Sequence, residues 1–161
     1  MSNNPPVRIR AVSPPDKARN KLFTQAFARI AEAMGQGFYL EAIAIIESLI
    51  SDRLEARLTN LLGENYSFKT LEKIVIKSGT TETDEKLRNL IENDLNKWKN
   101  MRNRALHEMA KIEEGIDISW EERMKALEPT AKDGLALLRK IDNRCKTFER
   151  RAQKDDGGAA A

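Results

Sequence analysis

Leu95-Asn96-Lys97-Trp98-Lys99-Asn100-Met101-Arg102-Asn103-Arg104-Ala105-Leu106-His107-Glu108-Met109 is the stretch on which both the fold and the chemistry turn. Leu87, Ile91, Leu95, Trp98, Ala105, Met109 and Ile112 recur at three-to-four spacing, which predicts a helix with one apolar stripe. With Trp98 at zero and about 100° per residue, Arg102 falls near 40°, Lys99 near 100°, Asn103 near 140° and His107 near 180°. These four share a flank beside the stripe. Arg102 lies at the edge of the stripe itself, and a guanidinium taken out of water needs acceptors or an anion. His107 is the only histidine in the chain.

Working outward, the chain of 161 residues favours a single domain, and it is 40% hydrophobic and 33% charged. That balance, with long 3.6-period segments, predicts an all-α protein. The net charge of +3 supplies no global field for nucleic acid. The positive charge is local instead. Lys97, Lys99, Arg102, Arg104 and Lys111 stand against Glu108 alone over 96–111, and residues 139–154 are again basic. Such runs suit phosphate, although a solvated helix face is the commoner reason for them. The single cysteine, Cys145, excludes an intrachain disulfide. No signal peptide or transmembrane-length apolar run is read, so a soluble, cytoplasmic protein without membrane partners is expected.

Residues 1–17, with Pro5-Pro6 and Pro14-Pro15, read as an extended arm. A helix is predicted over 18–34, with Leu22, Phe23, Ala26, Phe27 and Ile30 inward, broken by Gly35 and Gly37. A second over 38–62 carries Ile43, Ile46, Ile50, Leu54 and Leu61 and ends at Gly63. Glu47 and Arg57 fall close to that stripe. Either they pair with neighbours at the core edge, or Glu47 accepts from Arg102 and fixes its guanidinium. A short helix is expected over 69–77, with Tyr66 and Phe68 anchoring the loop before it. Ser78-Gly79-Thr80-Thr81 reads as a turn, with Thr81 or Thr83 capping a long helix over 84–113. Ser119 and Glu122 form a capping box, Pro129 interrupts or kinks the segment that follows, and Leu135, Leu138, Ile141, Cys145 and Phe148 continue an apolar face. One helical domain over 18–150 and a frayed or disordered tail over 151–161 complete the organisation.

An imidazole beside a guanidinium has a specific use. The imidazole can remove or donate a proton near neutral pH. The guanidinium can hold a phosphate and stabilise the charge developing on it, and Asn103 can orient either the imidazole or the phosphate. Together these suit RNA cleavage by the neighbouring 2′-hydroxyl, a reaction that carries its own nucleophile. One histidine with scattered carboxylates gives no metal-ligand set, and no metal or other cofactor is expected. Transesterification gains from both an acid and a base. Two chains meeting along the long helix would supply two copies of His107 and Arg102, so a homodimer is expected.

Arg102-Asn103-Arg104-Ala105-Leu106-His107 resembles the Arg-x4-His motif of HEPN domains, in which the residue after the arginine is commonly polar. The resemblance spans roughly 18–150, with its specific part in those six residues. It implies an up-down bundle of four to five main helices with a short extra helix, often dimeric with the motif at the interface. It also implies a metal-independent endoribonuclease of the toxin or phage-defence kind, with an antitoxin protein among its partners. Arg102, Asn103 and His107 would then be catalytic, Lys99 and Arg104 would contact the RNA, and Glu47 would support Arg102 by geometry rather than by any motif. The competing expectation is a non-catalytic helical module that binds a protein or nucleic acid through the same flank. In that case His107 is a solvent-exposed helix residue and Arg102 a core-edge arginine paired with a carboxylate. Trp98 is expected in the core in either case.

Overall fold

The computed structural model describes residues 17–112 and 114–158. Among them every regular element is helical: α1 Lys17–Gly35, α2 Tyr39–Leu62, α3 Leu71–Thr81, α4 Glu85–Asn89, a π-helical segment Leu90–Leu95, α5 Asn96–Met109, α6 Trp120–Ala126 and α7 Glu128–Gly158. The all-α expectation holds. Elements α4, π and α5 run without a break, so the bundle has five main helical bodies. The expected arm lies outside the described residues except for Lys17, which opens α1.

Helix α2 is the centre of the packing. It meets α7 most extensively, then α1 and α3. Its sequence fits that place: Ala42, Ile43, Ile46, Leu49, Ile50, Leu54 and Leu58 are all buried, covering more than one face, whereas Leu61 is half-buried. Gly63 ends it at φ 68°, its N–H donating to the Thr59 carbonyl at 3.0 Å. This left-handed position favours glycine. In α1, Phe23, Ile30 and Ala33 turn inward, but Leu22 is exposed. Only one side of α1 meets α2, and Leu22 lies one residue off that line.

Four boundaries differ from the sequence reading. Helix α3 continues through Ser78, Gly79, Thr80 and Thr81, because Ser78 is buried against the bundle and packing outweighs the turn propensity. Asp84, rather than either threonine, caps α4, accepting from the Leu87 N–H at 2.8 Å. Helix α5 stops at Met109, leaving Ile112 fully exposed. There the Arg123 side chain donates to the carbonyl of Glu108 and satisfies the helix end. The Ser119–Glu122 capping box forms as read. Pro129 sits in the first turn of α7, directly after the Leu127 break. Helix α7 runs on to Gly158, into the stretch expected to fray. Arg150, Arg151, Ala152, Gln153 and Lys154 are good helix formers that extend a helix already nucleated.

The π segment has a positional consequence. Leu87, Ile91 and Leu95 are spaced by four and all fully buried. In a plain α-helix each step of four drifts by about 40°. The wider i→i+5 turn absorbs that drift and keeps all three on the core face before Trp98 takes over.

Candidate functional site

Trp98 sets the rotation of α5. Its indole is buried and donates from Nε1 to the Thr130 carbonyl of α7 at 2.8 Å. It also lies against Gly134, where no side chain intervenes. With Trp98 fixed inward, Lys99, Arg102 and Asn103, at i, i+3 and i+4, share the adjacent face. They line a cleft of about 510 Å³ whose other walls are Glu47, Ser48 and Ser51 of α2 and Lys69, Thr70 and Glu72 at the start of α3.

Inside the cleft the charges alternate. Arg102 donates from Nη2 to Glu47 Oε1, so of the two readings for Glu47 the contact made is the one with Arg102. The Arg102 Nε is buried and has no hydrogen-bond partner. Lys99 is buried, its ammonium donating to Glu72 Oε2 at 2.6 Å. The α3 end of the cleft is organised by Thr70, whose hydroxyl accepts from the Lys73 N–H at 3.4 Å, and by Glu55, which accepts from the Lys69 N–H at 2.9 Å.

Not every expected residue is gathered here. His107 is exposed and does not line the cleft. It stands four residues beyond Asn103, about 6 Å along the axis and about 40° around it. It makes no hydrogen bond or ion pair among the described residues. Arg104 is also outside the cleft: it points to solvent and pairs with Glu108 at 3.2 Å, one turn on along its own helix. Arg104 and Lys99 therefore do not share the cleft. Phe68 does not anchor its loop, being 68% exposed and held at φ 59°. Tyr66 does, packing on the core while its N–H donates to the Thr59 hydroxyl at 3.0 Å.

A second polar cluster joins α2 to α7 and is not legible as a motif. Arg53 is buried, donating to Asp142 at 2.6 Å and Glu149 at 3.0 Å while stacking 4.2 Å from the Phe23 ring centroid. Arg57 makes two bonds to Glu82, at 3.0 and 2.8 Å, and lies 4.0 Å over Phe148. Arg144 holds Asp84, and chiefly through that hydrogen bond lowers the Asp84 carboxyl to about 2. Burial raises the neighbouring Cys145 thiol to about 12, so it is a poor nucleophile. These pairs fill the helix junction and fasten it. No described group of three or more His, Cys, Asp or Glu side chains is placed to hold a metal ion, and no described helix is long and apolar enough to cross a membrane.

Compared with protein-family models, with curated proteins and with solved structures, the chain matches none.

Proposed function

We propose that this chain is a HEPN-like, metal-independent endoribonuclease acting in the cytoplasm as a toxin or phage-defence effector. The observation that carries the reading is one helix face. Arg102 and Asn103 open into a cleft of about 510 Å³, and His107, without a partner among the described residues, stands one turn further along the same flank. RNA lies along α5 with its scissile phosphate at the cleft mouth. Arg102, oriented by Glu47, binds the non-bridging oxygens, and Asn103 donates to the same group. His107 accepts the proton of the 2′-hydroxyl as its oxygen attacks phosphorus. The P–O5′ bond breaks, giving a 2′,3′-cyclic phosphate and a 5′-hydroxyl. The leaving oxygen takes its proton from the His107 imidazolium of a second subunit, so a homodimer with apposed α5 helices completes the site. An antitoxin protein covering that face would silence it.

The test is RNA incubated with the full chain in excess EDTA, beside His107→Ala and Arg102→Ala, with circular dichroism to verify folding. Cyclic-phosphate ends are expected from the wild type, and a loss of roughly 10²-fold or more in each variant. Cleavage abolished by the chelator, or variants as fast as wild type, refutes the assignment. One observation favours a second reading, that of a non-catalytic binding module. Two of the three cleft cations already hold carboxylates, Arg102 with Glu47 and Lys99 with Glu72. That reading predicts salt-sensitive RNA or protein binding that survives His107→Ala, with no product at any enzyme concentration.

A further inference from the structure

Two exposed patches of this chain are apolar at the centre and opposite in charge at the rim. The first is the connection between α5 and α6. Ile112, Ile116, Ile118 and Trp120 are all exposed there, Ile112 by 96% and Trp120 by 55%. Over residues 112–122 the sequence has five acidic residues and no basic one. Glu114, Asp117 and Glu121 make no ion pair among the described residues.

This connection is held in place. Arg123 donates to the carbonyl of Glu108, at the end of α5, and to that of Ile118 at 3.4 Å. Gly115 turns the chain at φ 85°, and the Ser119–Glu122 box fixes the junction with α6. Ile116, Ile118 and Trp120 alternate with Asp117 and Ser119, a spacing that sets them on one side of an extended chain. A pre-ordered apolar strip loses little conformational freedom when it is covered, and a contiguous exposed apolar patch marks a contact surface.

The second patch is the outer face of α3. Phe68, just ahead of the helix, and Ile76, upon it, are 68% and 62% exposed. Phe68 holds φ 59° with its ring mostly in solvent, and backbone strain of that kind gathers at functional surfaces. With Ile76 at zero, Thr80 falls near 40°, Lys73 near 60° and Lys77 near 100°. Neither lysine makes an ion pair among the described residues. Glu72, the acid on this face, is answered by Lys99.

The acidic connection cannot be covered by its own copy, since that sets like charges together. The α3 face offers it an apolar centre and a rim of opposite sign. We propose that the segment bearing Ile112, Ile116, Ile118 and Trp120 in one copy of this chain docks on the α3 face bearing Phe68 and Ile76 of a second copy. About a twofold axis the contact forms twice and closes a pair. It uses neither Arg102 nor His107, so it goes beyond the nuclease reading and does not rest on it. Six exposed apolar side chains place each contact among the small interfaces, below about 1,200 Å², and a dissociation constant on the order of 10 μM is expected.

The test is sedimentation velocity on the full chain, freed of nucleic acid, from about tenfold below to about tenfold above that constant. The mass should rise from monomer to pair with concentration and fall again with added salt. Trp120→Ala and Phe68→Asn should each weaken pairing about tenfold or more, with circular dichroism unchanged. Phe68→Asn relieves a strained backbone, so lost pairing there cannot be lost folding. Two charge reversals complete the set, Glu114→Lys with Asp117→Lys and Lys73→Glu with Lys77→Glu. Each double variant alone should stay monomeric. Mixed in equal amounts they should pair, because both contacts again join opposite charges. A chain monomeric throughout, or double variants that do not pair when mixed, overturns the proposal. Pairing untouched by these changes assigns it to the α5 face and overturns it too, and pairing seen only with added RNA makes RNA the occupant of the basic face instead.

Discussion

Gly134→Ala tests how α5 is held, and hence what aims Arg102. A methyl carbon at position 134 would stand 2.7 Å from Cε2, Cζ2 and Nε1 of Trp98. Carbon–carbon contacts settle at about 3.5–4.0 Å, so α5 and α7 must part by about 1 Å. The indole cannot retreat, since it is buried and tied to the Thr130 carbonyl at 2.8 Å. Alanine gains about 1 kcal/mol of helix propensity over glycine. Overpacking costs about 1–3 kcal/mol, and straining the buried indole bond about 1–3 kcal/mol more. The net is about 1–5 kcal/mol of destabilisation, a large share of the roughly 5–15 kcal/mol available to a domain. Urea unfolding followed by circular dichroism measures it. Gly79→Ala in α3 is the matched control, because its methyl meets only Glu92 Oε1, at an ordinary 3.5 Å. That variant is expected to be neutral or up to about 1 kcal/mol more stable. Adding Trp98→Phe to Gly134→Ala shortens the ring and should recover part of the loss. A Gly134→Ala chain as stable as wild type refutes the reasoning. If the proposed nuclease activity is present it should fall too, since a shift of about 1 Å in a positioned group can cost about 10²-fold.

Phe68 sits at φ 59° with its ring largely in solvent. Phe68→Asn, which tolerates that region, should raise stability by about 0.5–1 kcal/mol, and a lower unfolding midpoint contradicts this. Asp84, whose carboxyl is lowered to about 2 by Arg144, contributes stability that is present above its unfolded pKa. The contribution disappears as pH falls from about 4 through about 2 and amounts to about 1–2 kcal/mol. Asp84→Asn keeps an N-cap side chain and should flatten that acid limb in denaturation curves taken across the window, whereas a wild-type-like limb counts against the pairing. Cys145, buried with its thiol raised to about 12, should resist a disulfide-exchange reagent at pH 8 until urea unfolds the chain. Rapid native labelling would place it at the surface.

What was legible in the sequence follows from which interactions are local. The Gly63 stop, the Ser119–Glu122 box and the break before Pro129 each involve residues within one turn, so propensity and capping rules reach them. The α3 extension depends on Ser78 being buried by other helices, and the π segment on keeping Leu87, Ile91 and Leu95 in line, so neither has a local signature. Phe68 in the left-handed region breaks a rule that favours glycine there, and no pattern announces it.

The cleft divides on the same principle, one level up. Glu47 and Arg102 each sit at the edge of a long apolar stripe. Two stripes that pack against one core bring their edges together, so their contact is readable across a sequence separation of 55. Glu72 sits on a short helix as an ordinary first-turn acid, exposed and favourable to the dipole. Nothing in its neighbourhood points to Lys99, and Lys99 in turn reads as a cation facing RNA or solvent rather than a buried one. Their meeting depends on where the Gly63–Thr70 connection delivers the start of α3, which is a property of the assembled bundle. The same connection brings the N-terminus of α3 opposite Arg102. The buried ammonium of Lys99, answered by the largely exposed Glu72 carboxylate, therefore arises only once α2, α3 and α5 are packed.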